Sequence, residues 1–110
     1  MLQITDNAVI LTRGDNADII VNITDGNGDP YTLDEDDVLL FTLKRNCETS
    51  EIILQKTLVN SVISLDHDDT KDLKYGTYYF DVQLTNASDE VYTVITPHEF
   101  IIDKEVTFNA

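Results

Sequence analysis

The chain has 110 residues, the usual size of one domain, and 42% of them are apolar, which excludes a disordered segment and allows one modest core. A net charge of −14 excludes a nucleic-acid backbone or an anionic membrane as a direct partner, because both need clustered Lys and Arg. The single cysteine, Cys47, excludes an intramolecular disulfide and a multi-cysteine metal site, and no apolar run approaches the ~20 residues of a membrane span.

The opening Met1-Leu2-Gln3-Ile4-Thr5-Asp6 has neither the basic nor the apolar region of a secretory signal, so synthesis in the cytoplasm is expected. Strand signals then dominate. Residues 8–12 form a first strand. Residues 18–24 alternate, with Ile19, Val21 and Ile23 inward and Asp18, Ile20, Asn22 and Thr24 outward. Asp25-Gly26-Asn27-Gly28-Asp29-Pro30 is a turn, with two glycines for positive φ and a proline that ends the ladder. Residues 38–44 place Leu39, Phe41 and Leu43 in the core and leave Val38 and Leu40 facing out. Strands at 52–58 and 62–65 follow. Residues 66–73 form one short helical turn, capped by Asp66, with Asp68 and Asp69 at its positive end.

The clearest strand covers residues 76–85. Tyr78, Phe80, Val82 and Leu84 share the core face; Thr77, Tyr79, Asp81, Gln83 and Thr85 share the other. Residues 86–89 close a hairpin, and Pro97 divides the last β segment into strands at 91–95 and 100–108. About 7–9 short strands with regular turns predict a single all-β domain over residues 1–110, an antiparallel sandwich or small barrel.

Nothing in the sequence assembles a catalytic site. His67 lies among carboxylates and His98 follows Pro97; no nucleophile motif, phosphate-cradling loop or zinc-protease helix occurs, so no enzyme is expected. Asp25-x-Asn27-x-Asp29 has the opening spacing of a calcium loop, but Pro30 stands where glycine is required, so a hairpin turn explains it better. The runs 34–37 and 66–69 read as a solvated acidic stretch and a helix cap, so no metal or cofactor is expected. Arg13-Gly14-Asp15 reproduces an integrin-recognition triplet, but so short a motif recurs by chance and a bend between strands explains it better.

Gly76-Thr77-Tyr78-Tyr79-Phe80 resembles the stretch that opens strand F of immunoglobulin domains, with Tyr78 as the corner tyrosine and Phe80 in place of the disulfide cysteine. Thr12-Arg13-Gly14-Asp15, Phe41-Thr42-Leu43-Lys44 and the run from Asp69 through Tyr75-Gly76 to Leu84 are similar to small β-sandwich proteins of bacterial prophage tail and baseplate modules, and to the N-terminal domain of siphophage baseplate upper proteins. That resemblance implies an immunoglobulin-like antiparallel β-sandwich acting as a virion accessory domain. Its partners would be other virion proteins or a second copy of itself, met through Val38, Leu40 and Tyr79. The alternative is a carbohydrate- or cell-surface-binding module of the same fold, with Tyr31, Tyr79 and Tyr92 as aromatic platforms.

Overall fold

Period-two alternation decides the longest ladders. The computed structural model describes residues 2–5, 8–23 and 27–104. Strand order along the chain is β1 (Leu2–Thr5), β2 (Ala8–Thr12), β3 (Ala17–Ile20), β4 (Val38–Lys44), β5 (Leu54–Thr57), β6 (Val62–Leu65), β7 (Gly76–Thr85) and β8 (Val91–Asp103). The helical turn α1 (His67–Thr70) lies between β6 and β7. Strands hold 52% of the structure against that one short helix, so the chain is all-β, and its sheets curl into a half-barrel.

In β7, Tyr78, Phe80, Val82 and Leu84 are buried, as their spacing predicts. Antiparallel pairing sets Leu84 beside Leu39, Val82 beside Phe41 and Phe80 beside Leu43, so two inward rows merge into one layer. Phe41, Phe80 and Phe100 meet there with ring centroids 5.7–6.1 Å apart. Each such buried side chain stabilises the fold by roughly 1.5–3 kcal/mol. The larger sheet runs β1-β2-β8-β7-β4-β5, with β2 parallel to β8, and β3 and β6 form a separate antiparallel pair.

Several boundaries depart from the sequence reading. The final β segment is one strand, not two. Register shifts between Phe80 and Val82, and between Val82 and Gln83, let β8 bend past Pro97 without breaking. Among the described residues β2 borders β8 only from Phe100 onward, so at Pro97 the missing N–H faces no partner strand. The predicted continuation to 108 lies partly outside the described residues. β1 was not anticipated. The strand expected over 52–58 shortens to β5, because the chain after β4 turns on Asn46, whose Oδ1 accepts from the Glu48 and Thr49 amides, both at 2.9 Å. Ile53 and Leu58 still bond the Leu43 and Leu39 carbonyls.

β3 ends at Ile20, though the Val21 amide still donates to the Ser61 carbonyl at 2.8 Å; Thr24 lies outside the described residues. Ile19 and Val21 are buried, but Ile23 is half-buried and packs on the rim of the core, where the ladder has already ended. The helical turn behaves as its sequence demands. Asp66 accepts from the Asp68 amide and Asp69 accepts from the Asp66 amide, a complete capping box. The Tyr78 hydroxyl donates to the Lys74 carbonyl at 2.8 Å, tying the start of β7 to the loop before it.

Candidate functional site

Side chains that leave the core on β4, β5 and β7 share the outward face of the larger sheet. The register places Leu40 beside Gln83 on one side and Thr57 on the other, and Thr42 between Asp81 and Gln55. The Gln55 amide donates to the Thr42 hydroxyl at 3.1 Å. Over this row lies a hollow of about 270 Å³, lined also by Cys47 and Ile52 from the segment after β4 and by Pro97 of β8.

Two of the three candidate contact residues, Leu40 and Tyr79, line this one hollow. Val38 lies on the same strand face, 46% exposed, beside Thr85 and, beyond it, Val91 at 56%. An exposed apolar pair therefore shares this sheet face with the mixed polar hollow. Val91, Ile52, Gln55, Asp81 and Gln83 were not singled out from sequence. Strand alternation marks Asp81 and Gln83 as outward, but only the register brings them beside Leu40 and Tyr79.

The charges in the hollow are Lys44 and Asp81. Partial burial pushes the Asp81 carboxyl above its ordinary range, and the attraction of Lys44 only partly offsets that. A carboxylate held in this way, among amides and hydroxyls, favours a guest that donates hydrogen bonds to it.

Of the three tyrosines proposed as sugar platforms, Tyr31 lies close enough to Tyr92 for their charges to interact, but Tyr79 does not join them. Tyr79 pairs with Lys44 at one end of β4, whereas Tyr92 pairs with Leu84, next to the Thr85 that borders Val38 at the other end, roughly 20 Å away by strand rise. Tyr31 donates to the Asp37 carboxylate at 3.1 Å and Tyr92 to the Glu90 carboxylate at 3.0 Å. Both phenols are raised above their ordinary value, chiefly because those hydrogen bonds favour the protonated form.

The remaining sequence candidates have local duties. Asp37 accepts from the Asp34 amide at 2.9 Å, closing a turn within the acidic run, and Asp25 lies outside the described residues. Among the described residues no group of three His, Cys, Asp or Glu side chains converges on a metal position. The Arg13 guanidinium stacks on the Tyr75 ring at 4.2 Å and donates to the Leu73 carbonyl, while the Gly14 amide donates to buried Thr70 at 2.8 Å. The Arg13-Gly14-Asp15 triplet is thus a bend pinned to α1. His67 Nδ1 lies 2.8 Å from the Gly14 carbonyl, and the His98 ring packs near Phe80. Among the described residues no helix is long and apolar enough to cross a membrane.

No protein-family model, curated protein or solved structure matches the chain.

Proposed function

We propose that this protein is a non-enzymatic binding module of immunoglobulin-like sandwich type, a phage or prophage virion accessory domain that contacts other proteins through the outward face of β4, β5 and β7. The sandwich reading is supported by strand order. β4, β7 and β8 are neighbours as strands C, F and G are, β5 occupies the place of the added C′, and β3 pairs with β6 as B does with E in the other sheet. The Tyr78 bond to Lys74 has the geometry of a tyrosine corner. The contact reading is carried by one observation: Leu40 and Tyr79 line a single hollow with Val38 on the same face. The tail or baseplate assignment rests on the sequence resemblance alone.

The test is labelling of particles. Antibodies against the chain should decorate the tails of particles made by the encoding strain. Particles assembled with a Leu40→Asp/Tyr79→Ala chain should lose the label while the purified variant keeps its melting temperature. Unlabelled particles carrying the unaltered chain would refute the virion reading.

A second reading has its own observation. Thr42, Gln55, Asp81 and Gln83 beside the Tyr79 ring offer a pyranose both hydrogen-bonding groups and an aromatic face. Glycan-array binding abolished by Tyr79→Ala would favour a saccharide-binding module, and an array with no signal would leave the protein-contact reading standing.

A further inference from the structure

Among the described residues the smaller sheet consists of β3 and β6, and the outer edge of β3 meets no strand. The Val21 amide bonds Ser61, so in this antiparallel pair Ala17, Ile19 and Val21 direct their backbone groups toward β6. Asp18, Ile20 and Asn22 direct theirs away from it. Among the described residues these outward N–H and C=O groups meet no strand. Ile20, an apolar side chain on this edge, is also 70% exposed.

Beside that edge a groove reaches down to the core. It has a volume of about 380 Å³ and runs between β3 and the bent half of β8. Its floor is formed by Val9, Ile63 and Phe80, all core residues, and its far wall by Val94, Ile95 and His98. The far wall is the stretch of β8 that β2 does not reach, since their pairing begins at Phe100. The β5 edge lacks this feature, because β5 and β6 approach each other there.

From this we infer that the β3 edge accepts an extended strand from another protein, with apolar residues at alternate positions entering the groove and basic residues between them facing solvent. The occupant's chemistry follows from the geometry. Unpaired strand N–H and C=O groups are matched by an extended backbone and by little else. Guest residues facing Ile19 and Val21 fall over the groove and must be apolar. Guest residues beside Asp18 point outward, and a cation there gains from the cross-strand carboxylate and from the chain's charge of −14. The same charge disfavours a second copy of this chain. This site is separate from the outward face of β4, β5 and β7, and it stands or falls independently of that proposal.

The experiment titrates ¹⁵N-labelled protein with a short capped peptide of alternating valine and lysine. In such a pairing the lysine positions bond the β3 backbone, so a second peptide carries N-methyl groups at its lysines. A third replaces lysine by glutamate. Amide exchange at Asp18, Ile20 and Asn22 should slow about tenfold or more with the first peptide, and resonances of Ile95 and His98 should shift. The N-methylated and acidic peptides should do neither. An Ile20→Pro chain, which lacks one outward amide, should lose the response; if it does not fold, the N-methyl comparison decides. No slowing along β3 at saturating peptide, equal slowing by the N-methylated or acidic peptide, or protection on β1 or β5 instead would overturn the inference.

Discussion

Removing the hydroxyl of Tyr78 isolates one interaction. The ring is 2% exposed, and its hydroxyl donates to the Lys74 carbonyl at 2.8 Å. Tyr78→Phe keeps the ring in the core and the Arg45 guanidinium 5.0 Å above it. What is lost is one neutral hydrogen bond, worth about 0.5–1.5 kcal/mol net. The expected loss is therefore about 1 kcal/mol, or a fall of about 4–8 °C in melting temperature for a domain of this size. Tyr78→Ala removes the ring as well and should cost about 3–5 kcal/mol. Urea unfolding measures both, with an unchanged slope for Tyr78→Phe. A Tyr78→Phe chain as stable as the parent would refute the corner bond. One as unstable as Tyr78→Ala would show that the hydroxyl holds far more than a loop.

Further outcomes follow from other contacts. Thr70→Val buries the Gly14 amide without its acceptor and should cost about 1–3 kcal/mol, whereas Thr70→Ser should retain most of the stability in the same melts. Gly14→Ala should also destabilise, because φ is +82° and the new Cβ would sit 3.1 Å from His67 Nδ1; a neutral melt would refute that geometry. Asp66→Ala removes the capping box of α1 and should cost about 1 kcal/mol. The Asp81 carboxyl has a raised folded-state pKa, so its ionised form disfavours folding. The penalty is fully present above that raised value and fades as pH falls through it toward the unfolded value. Asp81→Asn should therefore gain stability relative to the parent at neutral pH and lose that advantage in acid. Urea midpoints across the pH range, with a ¹³C titration of the parent carboxyl, check the sign; an advantage that grows in acid would contradict it.

Much of the interior was legible from spacing. Tyr78, Phe80, Val82 and Leu84 are buried because an extended backbone sends alternate side chains to one side, whatever strand lies next to it. The turn at α1 was legible for a similar reason: Asp66 and Asp69 satisfy amides within one turn, so distant sequence has no say. Ile23 was placed too deep because alternation does not reveal where pairing stops. β8 was divided at Pro97 because a missing donor breaks only a strand paired on that side, and local sequence does not reveal whether a neighbour is present.

The candidate site was legible in part. Val38, Leu40 and Tyr79 were outward by alternation, but the hollow depends on register, which joined Leu40 and Tyr79 to Gln55, Asp81 and Gln83. Register likewise separated Tyr79 from Tyr92. By itself, then, the sequence determined which side of each strand is apolar and where short-range hydrogen bonds turn the chain, because those preferences act over a few residues. The tertiary structure alone decided which strands are neighbours, which edge of β3 meets no strand among the described residues and which outward side chains share a hollow. Those depend on contacts between segments far apart in the chain, whose relative positions no local preference encodes.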